Sequence, residues 1–310
     1  MKISVCVCTY NGENFIREQL DSIYHQVRQP DELILCDDGS QDRTVEIISE
    51  YIREKKLEAQ WKLYVNETNK GYPGNFYYAM SLCTGDVVFL ADQDDVWKKD
   101  KLQIMSDTLE RERDIRVLAC KFGLIDAVGA DIHTLMAPTR SNDSMKLKKI
   151  TLADIFYKYE TPGMVLAYRN EWYRQRGIWS STVPHDFLIC SMAAEENALV
   201  QIDAELAYHR RHTNNAGGEE HRFARLLNKG RKLREIEIYL KMLRTMQEEG
   251  CLRNQDAREE LNAKERVMSE RYAALCSGKR SAVLRAAIQN RRYTRIATTV
   301  CDLLIVSQKN

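Results

Sequence analysis

Hydrophobic positions in the first hundred residues fall into short continuous runs separated by amphipathic stretches. Ile3–Cys8 is an apolar, β-prone run, and within Glu13–His25 the residues Ile16, Leu20 and Ile23 share one helical face. Leu33–Cys36 predicts a second strand, followed by a helix from about Asp42 to Glu54. Leu63–Val65 predicts a third strand, Asn69–Asn75 a loop and Phe76–Cys83 a short helix. Asp86–Ala91 is a continuous apolar strand, and a helix is expected near Lys98–Arg111. Strands alternating with helices predict βαβ units and a mostly parallel sheet. Strands apolar throughout fit a sheet covered on both faces.

Residues 116–170 predict further strands and loops, with a polar, mobile loop over 138–149 carrying Lys146, Lys148 and Lys149. A helix is expected after Pro184, through Asp186–Val200. Beyond residue 220 the period changes. Leu226, Leu233, Ile236, Leu240 and Leu243 recur at three-four spacing and predict a helix over 222–248, with a second over 254–276 between Gly250 and Gly278. The expected division is therefore an α/β domain over 1–220 and a basic helical region over 221–310.

Composition alters this picture in one respect. The 310 residues are 44% hydrophobic and 29% charged, enough for a sizeable core and against disorder as the main theme. The net charge of +1 hides an asymmetry: residues 1–220 hold 26 Lys+Arg against 35 Asp+Glu, and residues 221–310 hold 20 against 10. A basic last part implies a polyanionic partner, and without a nucleic-acid motif beside the charge a membrane surface is expected and nucleic acid is not. No secretory signal and no apolar run of spanning length is found. Nine Cys with no C-x-x-C pair argue against zinc ribbon and thioredoxin chemistry, and Cys6, Cys8, Cys36, Cys83 and Cys120 read as reduced core residues. The expected location is cytoplasmic, peripheral at the inner face of the cell membrane.

The candidate chemistry lies where strands end. In an open α/β sheet, ligands bind beyond the carboxyl ends of strands. Three predicted strands end in polar clusters: Thr9-Tyr10-Asn11-Gly12-Glu13, Asp37-Asp38-Gly39-Ser40 and Asp92-Gln93-Asp94-Asp95. Three Asp within four residues repel one another unless a charge neutralises them. Oxygen ligands suit Mg2+ or Mn2+, shared with substrate phosphates. The competing reading is helix capping, for Asp95 above all, and an ordinary Asp-Gly turn for Asp37-Asp38-Gly39-Ser40.

Taken together, SVCVCTYNGENFIREQLDSIYHQ, ELILCDDGSQDRTVEII, NKGYPGNF and GDVVFLADQDDVWKKDKL resemble the family 2 glycosyltransferases, over about residues 1–220. LADQDDVW with NKGYPGNF is similar to the rhamnosyltransferase-like branch, which builds bacterial surface polysaccharides. The resemblance implies the GT-A fold, a Rossmann-like α/β architecture with a mostly parallel mixed sheet, here with a C-terminal helical appendage. It implies that Thr9, Tyr10 and Glu13 pack on the nucleotide, that Asp38 reads the base, and that the Asn69–Asn75 loop, including Asn75, lies near base or ribose. It assigns the metal and sugar diphosphate to Asp92 and Asp94, with Asp95 as a further candidate. Cys8 replaces the Pro that many members have before this Thr. The Q-x-x-R-W motif of processive synthases is absent near 205–215, which favours single addition.

By the same resemblance, Asp186 in Pro184-His185-Asp186-Phe187 is the catalytic base, with His185 positioning it or the acceptor; Glu195 and Glu196 are alternatives. The bland reading of Asp186 is an acid favoured at a helix N-terminus. His209-Arg210-Arg211-His212-Thr213-Asn214-Asn215 resembles the branch's Arg-x-His-x-Asn-Asn segment. It implies His212 on the metal or diphosphate, His209 as alternative, and Arg210 or Arg211 on phosphate. Trp97, Tyr72 and Trp179 either stack on a sugar or base or, as favoured, pack. Lys279, Arg280, Arg285, Arg291, Arg292 and Arg295 interleave with Val283, Leu284, Ile288, Tyr293 and Ile296, so 279–306 reads as a basic amphipathic helix at an anionic membrane surface.

The function expected is therefore an inverting, metal-dependent transfer of one sugar from a nucleoside diphosphate sugar, dTDP-rhamnose or a UDP-hexose. The acceptor expected is a glycan or a polyprenyl-linked lipid. The rival readings are a non-catalytic scaffold subunit of the same fold and a nucleotidyltransferase.

Overall fold

A computed structural model describes residues 1–132, 143–177, 179–180, 182–212 and 227–307. The chain divides into two compact units, Met1–Ile150 with Glu160–His212, and Thr151–Tyr159 with Thr213–Asn310. The expected boundary after residue 220 did not anticipate that Thr151–Tyr159 clusters with the later helices.

The first unit is built on a nine-stranded mixed sheet. Its strands are β1 (Ile3–Thr9), β2 (Glu32–Asp37), β3 (Trp61–Val65), β4 (Val87–Asp92), β5 (Val96–Trp97), β6 (Val117–Ile125), β7 (Leu147–Lys149), β8 (Leu166–Arg169) and β9 (Leu199–Arg210). The order is β3-β2-β1-β4-β8-β6-β9-β5, with β7 on β9. The half β3-β2-β1-β4 is parallel, whereas β8 enters antiparallel to both β4 and β6. β1 is buried along its whole length, as a strand apolar on both faces requires.

Helices α1 (Ile16–Tyr24), α2 (Thr44–Lys55), α3 (Gly71–Leu82) and α4 (Lys101–Arg111) alternate with the early strands. Each buries an apolar stripe: Ile16, Leu20 and Ile23 in α1, Ile48, Tyr51 and Ile52 in α2. The expected Asn69–Asn75 loop is shorter, because α3 begins at Gly71. Pro73 sits in its first turn, where the missing N–H has no partner to lose.

After α5 (Leu152–Tyr157) and α6 (Asn170–Arg176) comes α7 (His185–Glu195), every residue of which is buried. A helix apolar all round belongs inside. It stops ten residues into the expected Asp186–Val200 span, and Leu199 and Val200 belong to β9. Part of the expected 138–149 loop is strand β7, hydrogen-bonded to β9, while 138–142 lie outside the described residues.

The second unit contains α5, α8 (Lys229–Glu248), α9 (Gln255–Ser277), α10 (Arg280–Gln289) and α11 (Ile296–Ile305). Residues 222–226 of the helix expected over 222–248 lie outside the described residues. Thr151 and Asp154 form a capping box at the start of α5. Buried Lys264 of α9 donates its Nζ to the Phe156 carbonyl, which ties α5 to the helices that follow it much later in sequence. Gly278 ends α9 in the left-handed region (φ +67°), where a side chain is strained. Among the described residues no helix is long and apolar enough to cross a membrane.

Candidate active site

Register brings the predicted clusters together. Thr9 pairs with Asp37 on one side of β1, and Cys8 pairs with Asp92 on the other. Strand order reverses at β1 and β4, so a crevice opens beyond their carboxyl ends.

The β2 end is a scaffold of hydrogen bonds. Asp37 accepts from Thr9 Oγ1 (2.8 Å), from Ser40 Oγ (2.6 Å) and from the Gly39 and Ser40 amides. Asp38 is buried and accepts from Asn66 Nδ2 (2.8 Å) and from the amides of Lys70 (2.8 Å) and Gly71 (2.9 Å). Its carboxylate thus holds the turn into α3, with about one of four acceptor positions left. Asn75 is buried, donates to the Cys36 carbonyl and accepts from Asn66. Its side-chain amide thus braces the β2 end from within. Thr9 is likewise buried, with its hydroxyl spent on Asp37.

The β1 end faces the crevice through Tyr10, which is exposed, and its backbone is held by Gln93. Gln93 Oε1 accepts from the Tyr10 amide (2.8 Å), and Gln93 Nε2 donates to the Tyr10 carbonyl (3.0 Å). A side chain at Gly12 would collide with that amide, so glycine is the residue that lets Gln93 close. Glu13 accepts from the Arg43 amide (3.0 Å) at the start of α2, which fastens the first loop to the second. Gln93 was overlooked in the sequence because it stood between acids; its place between two strand ends was the available signal.

The acidic motif divides by role. Asp95 is fully buried: Oδ1 accepts from the Arg210 amide (3.1 Å) and lies 3.0 Å from His209 Nδ1. Its Oδ2 is buried without a hydrogen-bond partner among the described residues. Asp94 Oδ2 lies 2.8 Å from His212 Nε2, and the His212 ring rests on Phe15 at 4.4 Å. Asp92 is held well above the usual carboxylate range by burial, and then by the charges of Asp95, Asp94 and Asp186. Burial and the Asp95 charge raise Asp94 too, against the pull of His212. Lys101, fully buried, sits 3.6 Å over the Trp97 ring and donates to the Met164 carbonyl (2.5 Å). Burial brings its ammonium down to about 8.

Arg210, one of the two arginines expected on phosphate, is buried behind the acidic motif. Its guanidinium is 1% exposed, donates to the carbonyls of Asp94 (2.9 Å) and Asp126 (3.2 Å), and contacts Glu18 at 2.5 Å. The motif is therefore clamped from behind by Arg210. Thr213–Asn215 lie outside the described residues.

On the second edge, Asp186 lies in the first turn of α7 and its Oδ1 accepts from the Phe187 amide (2.8 Å). It is close enough to Asp92 to raise that carboxyl, and both charges add to the burial that raises the Tyr72 phenol. His185 is buried and stacked on Phe76 at 3.9 Å, with neither ring nitrogen hydrogen-bonded among the described residues. Burial depresses it to about 3, so it stays neutral and packs. Among the described residues it makes no hydrogen bond to Asp186. Glu195 is paired with Arg176 (2.8 Å) and Glu196 accepts from Trp172 Nε1 (2.8 Å). Trp97 packs in the core, whereas Trp179 is 60% exposed.

Among the described residues no three His, Cys, Asp or Glu side chains converge as a ready-made metal cage. The donor chemistry nevertheless fits a hard divalent ion: two carboxylates raised by burial and by neighbouring acids, beside a third that carries an unpartnered oxygen. Mg2+ is commonly held by one or two carboxylates, the remaining ligands coming from substrate phosphate and water.

Comparison with known proteins agrees with this geometry. The chain is 26% identical to the dTDP-rhamnosyl transferase RfbG of Shigella flexneri over 68% of this chain and 73% of that protein. It is 30% identical to the abequosyltransferase RfbV of Salmonella typhimurium over 46% of this chain and 41% of that protein. The chain spans about a third to a half of the length of several curated relatives. The fold is similar to Staphylococcus aureus TarS in complex with UDP-GlcNAc (TM-score 0.61, 20% identity, 94% of this chain and 78% of that one). It is also similar to the Pyrobaculum calidifontis mannosyltransferase PcManGT with GDP-Man and Mn2+ (TM-score 0.57, 17% identity, 99% and 85%). These neighbours establish the GT-A fold. The sequence profile described as "Glycosyl transferase family 2" matches residues 4–162, the span that carries β1, β2, β4 and their polar ends, and the chain belongs to that family.

Proposed function

We propose that this protein is an inverting, metal-dependent glycosyltransferase. It moves one sugar from a nucleoside diphosphate sugar, dTDP-rhamnose or a UDP-hexose, to a glycan or lipid-linked acceptor of a cell-surface polysaccharide. The observation that carries the reading is the strand register that sets the Thr9, Asp37-Asp38 and Asp92–Asp95 ends side by side at one sheet edge, with Asp186 near enough to add its charge to that of Asp92. Inverting transfer needs such a pair: a carboxylate to take the acceptor proton, and an acidic site for the leaving diphosphate.

The residues divide the work. Tyr10, held by Gln93, offers an exposed ring to the nucleotide beside the crevice. Asp38 keeps an acceptor position for a pyrimidine N–H while it fastens the loop into α3. Asp92 and Asp94 would hold a divalent cation, with His212 on the outer oxygen of Asp94. Bound there, Mg2+ or Mn2+ supplies charge neutralisation for the departing diphosphate. Asp186 accepts the proton of the acceptor hydroxyl as the oxygen attacks the anomeric carbon from the face opposite the diphosphate. Asp95, Arg210 and Lys101 stand behind as supports.

The donor names of the relatives RfbG (dTDP-rhamnosyl) and the neighbours TarS and PcManGT (UDP-GlcNAc, GDP-Man) support a nucleotide-sugar donor. The test is a thermal-shift panel of nucleoside diphosphate sugars with Mg2+ or Mn2+, followed by product analysis with the stabilising donor. Stabilisation by at least one donor, and release of nucleoside diphosphate, are expected. Release of pyrophosphate, or no stabilisation by any donor, would overturn the reading.

A further inference from the structure

The structure resolves 279–306 into two short helices where one was expected. α10 (Arg280–Gln289) and α11 (Ile296–Ile305) are separated by Asn290–Arg295, a turn carrying Arg291, Arg292 and Arg295. Their inner faces are occupied: Val283 of α10 and Asp302 and Ile305 of α11 are buried, and Asp302 is bidentate to Arg271 of α9 (2.7 and 2.8 Å). Tyr293, read from sequence as part of the apolar stripe, instead lies against Lys264 and Arg292.

Each helix also carries an exposed aliphatic row. Leu284 and Ile288 are one turn apart on α10, and Ile296, Val300 and Leu304 follow at four-residue steps on α11. All five are exposed, Ile288 by 72% and Ile296 by 85%. From Lys279 to Arg295 the chain carries six cationic side chains and no acidic one. Of the arginines, Arg292 contacts Glu260 (3.1 Å) and Arg280 donates to Ser307 (2.7 Å).

We infer that α10, the arginine turn and α11 form a docking surface for an anionic lipid headgroup layer, with the five aliphatic side chains entering the acyl boundary. Exposed aliphatic stripes flanked by arginine and free of carboxylate complement a negatively charged interface. A second copy of the same face would bring like charges together, which disfavours self-association there. The inference rests on the second unit alone and is independent of the transfer reaction.

The test is co-sedimentation of the full chain with vesicles of phosphatidylcholine, or of phosphatidylcholine with 30% (about one lipid in three) phosphatidylglycerol, at low and high salt. Binding to the anionic vesicles only, weakened by salt, is expected. R285Q/R291Q/R295Q should lower partitioning at least about tenfold, and I288E/I296E should abolish it. Arg295 is half-buried and the other four positions are exposed, and thermal melting checks that each variant stays folded. Equal binding to neutral vesicles, or unaltered binding by both variants, would overturn the inference. So would a dimer, seen by sedimentation velocity without lipid, that I288E/I296E dissociates, because it would assign the face to a second copy.

Discussion

His212 Nε2 lies 2.8 Å from Asp94 Oδ2, across 118 residues of sequence. The contact joins the end of β9 to the acidic motif after β4, and it lies beside an Asp92 carboxyl already raised by burial and neighbouring charge. Replacing Asp94 by Asn should remove Mn2+-dependent donor affinity by at least about tenfold, while His212→Ala should weaken it less. Calorimetric titration of donor with and without Mn2+ checks this. Unchanged metal-dependent affinity in Asp94→Asn would remove Asp94 from the metal site.

Asp186 should act on turnover and not on donor capture. Asp186→Asn is expected to lower kcat by about 10²–10⁴, the usual contribution of a positioned general base, and to leave the donor Kd within about twofold. Single-turnover kinetics with the donor from the thermal-shift panel reads both. A variant with normal kcat would pass the base role to another residue.

Arg210 is a support, so its loss should be felt in stability first. Arg210→Met leaves the Asp94 and Asp126 carbonyls without their donor and Glu18 without its cation. A cost of about 1–3 kcal/mol is expected, since two carbonyls lose a charged donor while the Glu18 carboxylate, about half exposed, can turn to water. Urea unfolding measures it. A loss of donor affinity with stability intact would instead support the phosphate role read from sequence.

Lys264 predicts a pH dependence in the second unit. Burial brings its ammonium down to about 8, whereas in the unfolded chain it titrates near 10.4. Between those values the unfolded state holds the proton and the folded state has lost it, so stability rises with pH across that window. The contribution is complete above the unfolded value and is lost as pH falls through about 8. Lys264→Met should lack this slope. The difference in unfolding free energy between the variant and the parent should shift by on the order of 2–3 kcal/mol from pH 7.5 to 10. Parallel pH curves for the two proteins would refute it.

Much of the fold is legible in the sequence because its early strands are apolar on both faces and end in polar residues. Ile3–Thr9, Glu32–Asp37 and Val87–Asp92 are found within a residue or two of where periodicity put them. Local pattern misjudged what depends on partners. Gly71–Asn75 carries Gly and Pro and reads as loop, yet it opens α3, because Pro73 falls in a first turn. Ala198, Leu199 and Val200 follow α7 after only two polar residues and read as its continuation, yet Leu199 and Val200 pair with β6.

The same division holds at the candidate site. By itself the sequence determined the βαβ order, the three polar strand ends and the acids placed on them, because these follow from period and residue type along the chain. Only the tertiary structure decided which of those polar groups is still available for a ligand. Asn75, Thr9 and Arg210 are polar residues in motif positions, and each is spent on a backbone or side-chain partner far away in sequence. Buried polar groups must find such partners, and the partners come from elements that meet only when the sheet is assembled.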